Sequence, residues 1–192
     1  MKKLAIVFWI LLFLGGCITS VSRKYYQLHI PGNTNLALPT IDKILFIEPV
    51  AVDNFYDDFR IIYRISPFEL NYYSYNFWAE KPARLIRNSI YDFFSRNKIF
   101  KKVTLVLSEE NPDLVFKSKI FIIEEVDARE SWFARLSMEI ELKDYSSGRI
   151  LVTHRFDRKE KLPAKEVSEV PVILSRILRE ELDTVIQRLS GL

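Results

Sequence analysis

Few side chains in this 192-residue chain can do covalent or proton chemistry: one cysteine, Cys17, and two histidines, His29 and His154. A lone thiol excludes an intramolecular disulfide framework and any cysteine zinc cluster. Two histidines exclude an all-histidine metal centre, and either ring would need a serine and an acid delivered by tertiary structure. An ordinary structural or surface role is the expectation for both. The glycines, at 15, 16, 32, 148 and 191, leave no Gly-rich phosphate loop, no dinucleotide fingerprint and no G-x-S-x-G elbow. The acidic pairs Asp57-Asp58, Glu109-Glu110, Glu124-Glu125 and Glu180-Glu181 are adjacent, so their carboxylates diverge on a helix or strand and are expected on solvated surface. A formal net charge of +3, from 28 basic and 25 acidic residues, is far below the basic footprint of a nucleic-acid binder. The expectation is a protein with no catalytic residues, no metal and no nucleic-acid partner.

The cysteine stands in a particular setting. Lys2 and Lys3 precede an uncharged apolar run, Leu4 to Leu14, which as a helix would be about 16 Å long, roughly half the bilayer core. That length suits a signal-peptide h-region. Leu14-Gly15-Gly16-Cys17 follows at once and resembles the lipobox of bacterial lipoproteins, in which the thiol receives a diacylglyceryl group and the chain is cut just before it. Small residues at 15 and 16 let the backbone enter the peptidase closely. An uncleaved membrane anchor and an ordinary secretory cleavage are the competing readings, since residues 4–22 carry no charge. On the lipobox reading, residues 1–16 are a signal peptide, 17–24 a lipidated start and short linker, and 25–192 one periplasmic domain. No cofactor is expected beyond the covalent acyl lipid on Cys17, and two or more acyl chains there would hold the protein at a membrane without a span. Removing Lys2 and Lys3 leaves the mature chain near neutral, so attraction to anionic lipid is not its route to the membrane.

The remaining chain must build a core. Hydrophobic residues make up 48% and there is no low-complexity segment, so it folds. Strands are predicted over 25–30, 43–52 (with Pro49 marking an edge or bulge), 60–65, 103–107, 114–126, 132–142 and 150–156. The clearest is 132–142, where Trp132, Ala134, Leu136, Met138, Ile140 and Leu142 alternate with polar residues. Asp144-Tyr145-Ser146-Ser147-Gly148 reads as a hairpin loop. Helices are predicted over 82–97, opened by Pro82, and over 168–189, closed by Gly191. The order β-β-β-α-β-β-β-β-α implies an α+β fold, an antiparallel or mixed sheet with two amphipathic helices on it.

Between the third strand and the first helix lies a tract rich in aromatics: Phe68, Tyr72, Tyr73, Tyr75, Phe77 and Trp78. Such side chains combine apolar bodies with polar tips, which suits a partner surface as well as capping of a sheet. This tract also carries a family resemblance. Tyr25-Tyr26-Gln27-Leu28, Ile47-Glu48-Pro49-Val50, Ile62-Tyr63-Arg64, Ser66-Pro67, Glu69-Leu70, Tyr72-Tyr73 and Trp78-Ala79-Glu80 before Pro82 occur in that order behind the lipobox. Together with Trp132-Phe133-Ala134-Arg135 and the Ser147-Gly148-Arg149-Ile150-Leu151 hairpin, they make the chain resemble the ABC-type transport auxiliary lipoproteins, which accompany MCE-domain lipid transporters. Lys81 and Phe77 depart from the residues common there.

The resemblance implies a non-enzymatic accessory subunit that docks on an MCE-domain protein, with Tyr72, Tyr73, Tyr75, Phe77, Trp78 and Glu80 as the candidate partner surface. It leaves the oligomeric state open, homo-oligomers included. Ile18 rather than Asp after Cys17 points, by the usual sorting rule, to the outer membrane, facing the periplasm. An envelope lipoprotein supporting outer-membrane or cell-wall assembly is the alternative.

Overall fold

The structure, a computed structural model, describes residues 22–31, 40–107 and 111–190. Its elements are β1 (Lys24–Tyr26), β2 (Ile41–Ile47), β3 (Ala51–Val52), a 3-10 turn (Asn54–Tyr56), β4 (Arg60–Ser66), β5 (Glu69–Trp78), α1 (Pro82–Arg96), β6 (Phe100–Thr104), β7 (Leu114–Asp127), β8 (Trp132–Asp144), β9 (Ile150–Lys161) and α2 (Glu169–Ser190). This is the expected α+β arrangement, a mixed sheet carrying two helices.

The organising strand is β7, apolar on both faces and bonded along both edges. One edge pairs antiparallel with β8 over its whole length, and β8 in turn pairs with β9. The other edge is shared by three parallel neighbours: β2 at Leu114–Phe116, β3 at Lys119 and Ile120, and β4 at Glu125 and Val126. The sheet therefore forks. Beyond β2 lies β6, and beyond β4 lie β5 and then the short β1. A register shift between Ile120 and Ile122 leaves Phe121 as the extra residue and swaps the phase of β7, so that Ile120 and Ile123 both face the helix side.

The helices cover one face because their apolar residues recur at helical spacing. In α1, Leu85, Ile86, Ile90, Phe93 and Phe94 are buried, and Phe94 meets Phe100 and Phe116 at 5.2 and 5.5 Å between ring centres. In α2, Val170, Leu174, Ile177, Leu178, Leu182 and Val185 are buried over β8 and β9. Arg87 ties α1 to the sheet. Its guanidinium donates to the carbonyls of Ile47 (2.5 Å), Glu48 (3.1 Å) and Leu105 (2.7 Å), where β2 ends and the chain leaves β6.

Several expected boundaries move for identifiable reasons. The predicted strand 43–52 breaks at Glu48-Pro49-Val50, since a proline nitrogen cannot join the ladder. The predicted 25–30 strand shortens to Lys24–Tyr26; Leu28 and Ile30 are still buried, in a segment that runs between the helices and is bonded by His29 N–H to Ser175 Oγ at 3.0 Å. The predicted 103–107 strand begins instead at Phe100. Lys98, at φ 50°, reverses the chain directly after α1, and Thr104 Oγ1 bonded to the Val106 N–H at 3.1 Å closes the strand early. The aromatic tract, unassigned from sequence, is β5.

Candidate functional site

The candidate partner surface grows from the β4–β5 hairpin. Ser66-Pro67 turns the chain, and β5 returns beside β4 with a large irregularity, since Arg60 faces Phe77 while Ile62 already faces Tyr72. Residues 73–76, four against Ile61 alone, bow out of the ladder. On its far side β5 meets only β1, through Asn76, Phe77 and Trp78. Residues 69–75 therefore present an edge with no strand beside it among the described residues, and from Asn71 to Tyr75 that edge carries no charge.

The six predicted partner residues separate into distinct settings. Trp78 is 2% exposed and belongs to the core. Tyr72 lies under Arg60, 4.0 Å from guanidinium to ring centre, and donates its hydroxyl to the Phe55 carbonyl at 3.2 Å. Tyr73 turns inward and donates to Glu125 Oε1 at 2.9 Å. Glu80 accepts from Asn88 Nδ2 at 2.8 Å and pairs with Arg84, holding the start of α1. Tyr75 and Phe77 remain on the surface side: Tyr75 is 48% exposed, and Phe77 stacks under Tyr25 at 5.6 Å, with Arg23 also over its ring. Sequence reasoning left out Tyr25, which β1 brings to this patch, and did not single out Phe68, which is 99% exposed at the hairpin tip. The signal for Phe68 was available: a large aromatic directly after a Ser-Pro turn has no neighbour to bury it.

Two acidic pairs expected on solvated surface are in part buried, which corrects that reading. Glu124 and Glu125 do point to opposite faces, and both are enclosed. Glu124 receives a bidentate Arg64 (2.7 and 3.0 Å) and the Tyr56 hydroxyl (2.8 Å), with Arg135 at 3.7 Å and itself paired to Asp157. Burial and the bond to Glu124 push the Tyr56 hydroxyl up to about 12. Glu125 lies on the helix side with one oxygen, Oε2, unpartnered, and burial raises its carboxyl to about 7. Desolvation and the Glu125 charge together raise the Tyr73 hydroxyl too. Such placement fits polar pins between β4, β5, β7 and β8, because the 3-10 turn and the long arginines exclude water from the face opposite the helices.

Of the other candidate chemistry, His29 is exposed and its backbone bonds Ser175. His154 is buried, with Nε2 2.5 Å from Glu181 Oε2, and the pair links β9 to α2. Glu181, the third buried acid of the adjacent pairs, also takes Arg158 at 3.2 Å. Nδ1 of His154 is buried without a hydrogen-bond partner. No group of three or more metal-ligating side chains occurs among the described residues. A cleft of about 700 Å³ opens beside the hairpin between Arg64, Pro67, Arg135 and Lys159, where cations and carboxylates alternate. Leu14, Gly15, Gly16 and Cys17 lie outside the described residues.

Comparison with known proteins places this geometry. Protein XCC0632 from Xanthomonas campestris superposes with a TM-score of 0.76 at 17% identity, over 86% of this chain and 94% of that one. The hypothetical protein CT253 from Chlamydia trachomatis superposes with a TM-score of 0.52 at 9% identity, over 79% of this chain and 100% of that one. These likenesses concern the fold. None of the curated proteins matches the chain. The sequence model of one family, the ABC-type transport auxiliary lipoprotein component, matches residues 26–185, from the last residue of β1 to the last turns of α2. A match of that extent, over the forked sheet and both helices, means that the chain belongs to the ABC-type transport auxiliary lipoprotein family.

Proposed function

We propose that this protein is a lipid-anchored, non-enzymatic accessory subunit of an ABC-type intermembrane lipid transport system, and that it docks on the MCE-domain component through the open edge of β5. The family match over residues 26–185 carries the accessory role. The choice of edge rests on charge. Three outer strands, β5, β6 and β9, have an edge with no strand beside it among the described residues, but β6 carries Lys101-Lys102 and β9 runs Thr-His-Arg-Phe-Asp-Arg-Lys-Glu-Lys from 153 to 161, densities of charge that discourage strand addition. The stretch Asn71 to Tyr75 carries none and presents Tyr75 beside the Tyr25–Phe77 stack, so a partner strand can bond the backbone and cover the aromatics together. Anchored by acyl chains on Cys17 to the outer membrane and facing the periplasm, the domain would meet its partner at high effective concentration, and a modest interface suffices.

Affinity purification of the full chain from detergent-extracted membranes tests the reading. An MCE-domain protein is expected to co-purify, and a Cys17→Ser variant is expected to lose acyl labelling, membrane retention and most of that recovery. Recovery of cell-wall or outer-membrane assembly proteins in place of an MCE component would favour the envelope-assembly role instead.

A further inference from the structure

Phe68 is the most exposed large hydrophobic side chain of the described residues, at 99%, and Ile65 just before the turn is 43% exposed. Leaving a whole phenyl ring in water forgoes the largest apolar contribution a side chain can make, so a tip of this kind points to an apolar surface that receives it. The direction of the chain identifies that surface. β1 runs parallel to β5, with Lys24 beside Asn76, so the backbone leading back from Lys24 heads toward the pole that carries the hairpin tip. Measured on β4, the seven residues from Arg60, beside Phe77, to Pro67 cover about 23 Å. Seven residues likewise separate Lys24 from Cys17, and no backbone of that length spans more than about 25 Å. A lipid on Cys17 is therefore tethered too closely for the hairpin pole to stand clear of the membrane when that pole faces it.

We propose that the β4–β5 hairpin tip is a membrane-contacting element, with Phe68 and Ile65 seated in the interface of the bilayer that holds the acyl chains of Cys17. The inference rests on the lipid-anchor reading above and extends it. Seating is apolar in origin: in the cleft beside the tip Arg64 is paired to Glu124 and Arg135 to Asp157, and Asp127 lines it together with Lys159, so the tip offers no strong field for anionic headgroups. It also fixes orientation, turning the open edge of β5 so that its long axis runs away from the membrane.

The test uses the full acylated chain in vesicles of phosphatidylethanolamine and phosphatidylglycerol. Because the thiol of Cys17 is consumed as a thioether, a Phe68→Cys variant holds a single free thiol for an environment-sensitive fluorophore. Tyr145→Cys, in the β8–β9 turn at the opposite pole, is the comparison. The label at 68 is expected to shift its emission to the blue and to lose intensity to a quencher carried on the lipid chains, while the label at 145 does neither. An aqueous signal from 68 on vesicle-bound protein would overturn the inference alone, as would shielding of 68 that appears only when an MCE-domain protein is added. Failure of the unsubstituted protein to float with the vesicles would overturn the lipid anchor and this inference with it.

Discussion

At the scale of single residues, Glu125 has the clearest measurable consequence. Its carboxyl is held near 7 rather than 4.5 because burial penalises its charge more than the Tyr73 hydroxyl supports it. A raised carboxyl favours the folded state while protonated. Below about 4.5 both folded and unfolded forms carry the proton; between 4.5 and 7 only the folded form does, so stability falls as pH rises through that window. The loss is roughly 3 kcal/mol. Glu125→Gln keeps an acceptor for Tyr73 and removes the titration, so urea unfolding as a function of pH is expected to lose that slope. An unchanged slope would mean that Glu125 is already charged at pH 5. None of this was legible in the sequence, where Glu124-Glu125 looks like any acidic pair on a strand. Alternation correctly separates the two side chains to opposite faces, but only tertiary packing shows that Tyr56 and the arginines close one face and Tyr63 and Tyr73 the other.

Among the elements, legibility follows how much of each one's environment its own residues dictate. The alternation of β8 and the helical spacing of α1 and α2 appear almost where expected, because each buries one face along its whole length. β5 escaped assignment because its four bowed residues break the period of two, and β6 was misplaced by three residues because Val106 and Leu107 look like strand yet lie 69% and 52% exposed beyond the Thr104 closure. Arg87 is a further case: on the wheel of α1 it reads as a solvent-facing cation, whereas it satisfies carbonyls at the ends of two strands. Burial lowers its pKa, and the three carbonyls supply hydrogen-bond partners for the enclosed guanidinium. Arg87→Met leaves those carbonyls without a donor and is expected to destabilise the protein by about 3 kcal/mol in denaturant unfolding. Arg87→Lys, a point charge without the fork, should recover part of that loss. A change within experimental error in Arg87→Met would show that water replaces the guanidinium.

For the whole molecule, the forked sheet ends among the described residues in three outer edges of unlike character, β5 with the short β1, β6 and β9. The segment 27–31 binds the fold together, with Leu28 and Ile30 in the core, His29 bonded to α2 and the Pro31 carbonyl accepting from Arg179 at 3.3 Å. On the proposed lipid-anchor reading, Cys17 stands ten residues before this segment, and a partner load on β5 would pass through β1 into the tether. The family was legible from the order of short motifs. The distinction among these edges was not, since it depends on which strands end up outermost. A photo-crosslinking residue placed at Tyr75 on the β5 edge, with Thr153 on the β9 edge as the comparison, tests the docking directly in cells. Covalent capture of an MCE-domain protein from position 75 and not from 153 is the predicted result; capture from 153 alone, or of no MCE-domain protein from either position, would contradict it.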